Sequence, residues 1–252
     1  MLSRFTPGTT VDRYVIEREL GDGTAGVVFL ARHQTLGSLH AIKVLKVENT
    51  SLAKRMLQEA QLQGRLRHPN IVGVSDFLDV EGMPAIVQEF VDGPSLERLL
   101  ARGLLSFERV DEIVTGLLRA VSAAHEAGII HRDIKPANIL ICQKEDKWVP
   151  KLSDFGLVKS LTIPGQNRTR SGSVMGSPGY MAPEQMSDAS TVDRRADLFS
   201  LGVVVYEMLT GRSPFGVGTL KQLYRRASSG EYPSPKSLRE GIPERMLQTI
   251  RV

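Results

Sequence analysis

"LGDGTAGVV" runs from Leu20 to Val28, and the fold of the chain turns on what surrounds it. A G-x-G-x-x-G spacing that comes after a strand and opens a helix marks a dinucleotide-binding βαβ unit. Here Gly26 leads directly into "VVFLARH", a Val- and Phe-rich run that reads as another strand. The stretch is therefore the tip of a β-hairpin. Gly21, Gly23 and Gly26 then fit two uses: a plain turn, or a backbone without Cβ atoms whose N–H groups can lie close over a phosphate chain.

Working outward, "YVIEREL" before the hairpin and "LHAIKVLKV" after it complete a set of three strands, with "QTLGS" as the second turn. Asn49, Thr50 and Ser51 are capping candidates for a helix from Leu52 to about Leu66. "IVGVSDFLDV" and "AIVQEFV" read as two more strands around the turn "EGMP". Beyond "VDGPS" the texture changes. "LERLLARG" and "FERVDEIVTGLLRAVSAAHEAG" carry apolar residues at three- and four-residue spacing and end at glycines. The sum is an α+β chain. A small antiparallel β lobe with one helix (14–90) joins a larger helical lobe (91–252) near Val91 to Ser95, after a flexible leader (1–13).

The 252 residues are 41% hydrophobic and 24% charged, ordinary for a globular protein. A net charge of +4 suits an anionic ligand, but no concentrated basic stripe points to nucleic acid. Arg194-Arg195 and Arg225-Arg226 read as solvated helix faces. Cys142 is the single cysteine, which excludes an intramolecular disulfide and a CxxC metal pair. The N-terminal "MLSRFTPGTTVDRY" has no apolar core of a secretory signal. "LFSLGVVVYEML" is too short for a membrane span and carries Glu207. A cytoplasmic protein with no membrane segment in this chain is expected.

Lys43 lies within the third strand, on one face with Ala41 and Leu45. It is either an edge charge snorkelling outward or a buried cation with a task. Glu59 falls within an apolar helix stripe with Leu52, Met56, Gln63 and Leu66, where a carboxylate needs a cationic partner. Lys43 is the nearest candidate, and a surface position for Glu59 is the alternative. "HRDIKPAN" (His131 to Asn138) packs charged groups between apolar flanks, where desolvation is costly unless they are paired or used. Asn138 and Asp154, at the edges of two loops, offer hard oxygen ligands suited to Mg²⁺ shared with phosphates. That leaves Asp133 to accept a hydroxyl proton.

Taken together, "GDGTAGVV", "AIK", a helical Glu, "HRDIKPAN", "DFG" and "APE" resemble, in order, the eukaryotic-type (Hanks-type) protein kinases. Lys135, two residues after Asp133, matches the Ser/Thr-specific members. "HPNIV", "GSPGYMAPEQ" and "DLFSLGVVVYEMLTGRSPF" resemble the bacterial ones. The resemblance implies a bilobal serine/threonine protein kinase that transfers the γ-phosphoryl group of ATP, with Mg²⁺ or Mn²⁺, to a protein hydroxyl. It gives Lys43 the α- and β-phosphates with Glu59 as partner. Asp133 becomes the acceptor of the substrate proton and Lys135 a γ-phosphoryl contact. Asn138 and Asp154 become metal ligands. Gln88 would be the gatekeeper, and Glu89 and Val91 would meet adenine through their backbone. Leu20, Val28, Ala41 and Leu140 would sandwich the base, with Gly21, Gly23 and Gly26 over the phosphates. Asp197 would brace the backbone at His131 and Arg132, and Ser177 would line the substrate site. Thr169, Ser171 and above all Ser173 are candidates for loop autophosphorylation opposite Arg132. Ala137 stands where basophilic members often carry Glu, so no basic consensus is expected. The family continues past the point matching Val252, with an Arg that pairs with the Glu of "APE", here Glu184. The C-terminal lobe is thus expected to be incomplete, and a weak or inactive nucleotide-binding scaffold is the alternative function.

Overall fold

The computed structural model describes residues 5–23, 26–46, 60–80, 82–155, 178–188 and 192–250. The chain divides into two compact units, 1–92 and 93–252.

The first unit holds β1 (Thr10–Val11), β2 (Tyr14–Gly23), β3 (Gly26–His33), β4 (Leu39–Leu45), β5 (Val74–Val80) and β6 (Met83–Glu89). They form one antiparallel sheet in the order β1-β2-β3-β4-β6-β5. Alternation along the strands sorts the side chains onto two faces. Val27 lies opposite Val44, and Val44 opposite Ala85; Phe29 lies opposite Ile42, and Ile42 opposite Val87. These residues bury with Tyr14, Ile16 and Leu78 in one core. The same register sends Val28, Lys43 and Ile86, and next to them Leu30, Ala41 and Gln88, to the opposite face.

The expected leader is part of this unit from Phe5 onward. Phe5 is 3% exposed and stacks on Phe29 with ring centroids 5.0 Å apart, while Thr10–Val11 pairs with β2. A Phe and a Val in a Pro/Gly-rich stretch supplied enough apolar area to bury. Residues 60–64 form the helix α1. Gln63 and Leu66, the last two members of the expected stripe, are buried, and Gln63 Nε2 donates to the Val72 carbonyl at 3.2 Å.

The second unit contains α2 (Leu96–Leu100), α3 (Phe107–Glu126), a 3-10 turn (Pro136–Asn138), β7 (Ile139–Lys144) and β8 (Lys147–Leu152). A second 3-10 turn (Pro178–Tyr180), α4 (Pro183–Ser187), α5 (Arg195–Thr210), α6 (Leu220–Ser229), α7 (Pro235–Leu238) and α8 (Glu244–Gln248) come next. Ser95 and Ser106 cap α2 and α3 by accepting the N–H groups of Arg98 and Arg109. α3 buries Val110, Ile113, Leu117, Ala120, Val121 and Ala124, an amphipathic stripe. Truncating Leu117, 0% exposed, to Ala would cost about 2–5 kcal/mol. α5 is buried almost all round and ends at Gly211, whose φ of 72° stops the helix. Among the described residues no helix is long and apolar enough to cross a membrane. Gly93 has a steric reason: a Cβ there would lie 2.0 Å from the Ile141 carbonyl oxygen.

Candidate active site

In the second unit the "HRDIKPAN" stretch is a knot of mutual hydrogen bonds. Asp133 Oδ2 accepts from Lys135 Nζ at 2.7 Å and from Asn138 Nδ2 at 2.9 Å. Asn138 Nδ2 also donates to the Asp133 carbonyl at 2.9 Å, which fixes the amide. Asp133 Oδ1 takes no hydrogen bond from the described residues. His131 is 1% exposed; its Nδ1 accepts the Asp133 N–H at 3.2 Å, so its Nε2 carries the proton donated to the Ser153 carbonyl at 2.8 Å. Phe155 packs on the His131 ring, centroids 4.5 Å apart.

The hairpin of β7 and β8 grows out of this knot. Ile139 lies opposite Leu152, and just below them Ser153 N and Oγ both donate to the Asn138 carbonyl, at 2.9 and 3.1 Å. Asn138 and Asp154 thus sit at the base of one hairpin. β8 ends at Leu152, and Asp154, with a left-handed φ of 63°, lies just past the strand, at the edge of the loop that follows. Leu140 is half-buried and bridges to Ser95.

Arg132 is the second strained residue here, with φ 67°. It is held from both sides. Asp197, 1% exposed, accepts the backbone N–H of His131 at 2.9 Å and of Arg132 at 2.8 Å. Gln185 Nε2 donates to the Arg132 carbonyl at 2.8 Å. The bracing expected of Asp197 is what the geometry shows, but sequence reasoning missed two partners. His125 Nε2 lies 2.8 Å from Asp197 Oδ2, and Gln185 had no signal beyond its place just after "APE". His125 had one: a polar residue on the last turn of an otherwise apolar helix stripe.

A further polar pair went unnoticed. Tyr180 OH donates to Glu207 Oε2 at 2.6 Å, and Ser200 Oγ donates to the Tyr180 carbonyl at 2.7 Å, tying the Pro178–Tyr180 turn to α5. Burial pushes the Glu207 carboxyl above its ordinary range; the Tyr180 hydrogen bond opposes this and the Glu97 charge adds to it. The Tyr180 hydroxyl is raised by burial and by Glu207. Glu184 is half-buried in the first turn of α4, with the Arg195 charge nearby.

In the first unit Lys43 is 5% exposed. It is a buried cation rather than a snorkelling one. Val28 and Ala41 share its face and, with Leu20, are half-buried, whereas Val27, Phe29 and Ile42 on the core side are exposed by 4% or less. Leu20 falls at a register shift between Glu19 and Gly21, which re-aims its side chain. Gln88 also shares this face, is 5% exposed, and its Nε2 has no partner among the described residues. Glu89 ends β6, and Val91 is buried.

The three glycines divide. A Cβ on Gly26 would stand 2.1 Å from the Val44 carbonyl oxygen, so this glycine serves the close pairing of β3 with β4. Gly26 thus has a steric reason in the sheet itself, beside any role over a phosphate chain. A Cβ on Gly21 would meet nothing within 4 Å, and one on Gly23 only the Gly26 carbonyl at 3.7 Å. Neither has a positive φ. Their bareness answers no demand of the fold around them. Glu59, Thr169, Ser171, Ser173 and Ser177 lie outside the described residues.

The protein kinase domain model matches residues 14–242. Curated relatives include the serine/threonine-protein kinase pkn3 of Myxococcus xanthus, 39% identical over 82% of this chain and 39% of its own length. The serine/threonine-protein kinase PknB of Mycolicibacterium smegmatis is 36% identical over 95% of this chain and 39% of its own. The chain thus spans about two fifths of the length of these relatives. Among solved structures, the kinase domain of Mycobacterium tuberculosis PknI, crystallised as a mutant, superposes with a TM-score of 0.72 at 26% identity, covering 97% of this chain and 90% of that one. A six-stranded antiparallel sheet carrying a buried Lys, a helical unit built around Asp133 and Asp197, and a match over most of the length agree: the chain belongs to the protein kinase domain family, with the bilobal fold of that family.

Proposed function

We propose that this chain is a serine/threonine protein kinase, transferring the γ-phosphoryl group of ATP to hydroxyls of a protein substrate. The observation that carries this reading is Asp133. One of its carboxylate oxygens is held by Lys135 and Asn138, and the other is left without a partner among the described residues. The free oxygen is the acceptor for the proton of a substrate hydroxyl. As that hydroxyl oxygen bonds to the γ-phosphorus and the bond to ADP breaks, the proton passes to Asp133. Lys135 Nζ, fixed against the same carboxylate, offers its remaining N–H groups to the transferred group.

Lys43 takes the α- and β-phosphates, and the open backbone at Gly21 and Gly23 lies over them. Leu20, Val28 and Ala41 supply an apolar wall for the base, with the backbone of Glu89 and Val91 reading its edge. A metal is implied, and the residues fit one. Asn138 is held through its Nδ2, which leaves its Oδ1 as an acceptor, and Asp154 follows Ser153, whose N–H donates to the Asn138 carbonyl at the hairpin base. Among the described residues no group of three or more His, Cys, Asp or Glu could hold a metal. The oxygen donors of Asn138 and Asp154 suit a hard cation that shares ligands with phosphate oxygens, Mg²⁺ or Mn²⁺. Bound there, it would neutralise charge developing on those oxygens. The names of the relatives support serine and threonine as acceptors. Arg132, whose guanidinium makes a single 3.4 Å bond among the described residues, to the Val192 carbonyl, supports control by a phosphate on Ser173.

The test is transfer from labelled ATP to the chain itself and to a Ser/Thr-rich protein, for the parent and for Asp133→Asn. The variant should lose between about a hundredfold and ten-thousandfold in rate while still binding ATP. Lys43→Met should lose ATP binding as well. A parent that binds ATP but transfers nothing would favour the scaffold reading. Transfer by Asp133→Asn at the parent rate would remove the role given to Asp133.

A further inference from the structure

We propose that Asp22 and Lys46 form an ionic clasp that sets how firmly the glycine hairpin holds a phosphate chain; this rests on the nucleotide-binding reading above. Asp22 is the residue between Gly21 and Gly23, on β2 at the tip of the hairpin, and Lys46 comes directly after β4. Lys46 Nζ donates to Asp22 Oδ1 in direct contact. The register shows what this pair crosses. Asp22 lies opposite Val27, and Val27 opposite Val44. Lys46, two residues on from Val44, shares that face. The clasp therefore spans β3 entirely, about 10 Å from strand to strand, a distance suited to one long lysine and one short carboxylate. It lies on the face opposite Lys43 and Val28, so neither charge occupies the surface assigned to the nucleotide.

Among the described residues, little else holds this end of the hairpin. The last rung of the hairpin is Gly23 opposite Gly26. Gly21 and Gly23 have no side chains to pack, and a Cβ on Gly21 would meet nothing within 4 Å. Among the described residues neither Asp22 nor Lys46 makes another side-chain hydrogen bond. Lifting the tip away from a phosphate chain means breaking this pair. Both partners are about half exposed, 54% and 45%, so the pair has the strength of a surface ion pair. Its loss would appear as a two- to fivefold effect and would be sensitive to salt.

The experiment compares the parent with Asp22→Asn, Lys46→Gln and the reversed double variant Asp22→Lys/Lys46→Glu. Steady-state transfer gives KM for ATP and kcat, and hydrogen exchange tracks the amides of residues 20–28. Each single variant should raise KM for ATP roughly two- to fivefold with kcat within twofold, and should speed exchange at the tip. The reversed pair should restore both. In 1 M salt, where the Debye length falls to about 3 Å, parent and single variants should converge. Unchanged KM and exchange in the singles would overturn the clasp, as would a reversed double as defective as the singles. If Lys46 instead touched ATP itself, Asp22→Asn would lower KM, and that result too overturns it. Should the parent transfer no phosphate, the kinase reading fails while the exchange data still decide whether the clasp exists.

Discussion

Replacing Asp197 by Asn should both destabilise the second unit and slow transfer, and three hydrogen bonds set the size of each effect. The carboxylate is 1% exposed and accepts from the backbone of His131 (2.9 Å) and Arg132 (2.8 Å) and from His125 Nε2 (2.8 Å). An amide has one acceptor oxygen, so in either orientation at least one buried N–H faces an NH₂ group. That donor costs about 1–3 kcal/mol. The remaining bonds change from charge-assisted to neutral and lose roughly half their strength. Relief of the buried charge offsets part of this, leaving about 3–5 kcal/mol. For a unit of this size that lowers Tm by roughly 6–20 °C. Arg132, at φ 67°, pays about 1–2 kcal/mol for a conformation most residues avoid. Freed of its N–H anchor it relaxes, and Asp133 moves with it. At a temperature where the variant is still folded, kcat should drop at least tenfold. Differential scanning fluorimetry and transfer assays measure the two. Asp193→Asn, at an exposed pair with Arg195, is the control and should shift Tm by no more than about 2 °C. A Tm for Asp197→Asn within about 2 °C of the parent, with kcat within twofold, would refute the reasoning.

Gly26→Ala should destabilise the first unit sharply, because its Cβ meets the Val44 carbonyl at 2.1 Å, as a melting curve will show. Gly21→Ala, with nothing within 4 Å, should leave Tm unchanged and alter only KM for ATP. Glu207 has its folded-state pKa raised by burial, so between the ordinary Glu value and the raised one the native state binds more protons than the unfolded chain. Stability from this group is present below the ordinary value and is lost as pH rises through the folded one. Glu207→Gln should therefore raise Tm at pH 8, with the gain shrinking towards pH 4, in melting curves taken across that range. At Glu112 burial pushes upward, but the hydrogen bonds from Arg109 (2.8 Å) and the Trp148 N–H (3.1 Å) prevail and hold its pKa low. Its contribution is present above the ordinary Glu value and fades as pH falls through the depressed one. Glu112→Gln should shift the fluorescence of Trp148, the single tryptophan, at pH 7 and flatten that acid response.

Much of the fold was legible because strands and helices here obey simple periodicity. The hairpin at Gly21 to Gly26 was read from the strand-like run that begins at Val27, and the face shared by Ala41 and Lys43 from alternation alone. The site was legible where one short segment holds several partners, as Asp133, Lys135 and Asn138 do. What stayed hidden depends on separation. His125 meets Asp197 across 72 residues, and Gln185 meets the Arg132 carbonyl across 53. Local pattern cannot reveal which distant polar group a strained backbone will borrow. The burial of Phe5 and Val11 was hidden for another reason: one Phe and one Val are too few for a pattern, yet enough to bury. The steric reason for Gly26 was hidden because its neighbour across the sheet, not its own turn, forbids a side chain.

The anchoring of Arg132 also constrains how the protein comes into being. Its carbonyl partner lies 53 residues later in the chain and its N–H partner 65 residues later. A ribosome that has released the Asp133 segment but not yet Asp197 has made a turn with nothing to hold it. The nascent chain passes through a long interval in which Arg132 and Asp133 exist without the partners that align them. Alignment then arrives late, once Gln185 and Asp197 have both joined the fold.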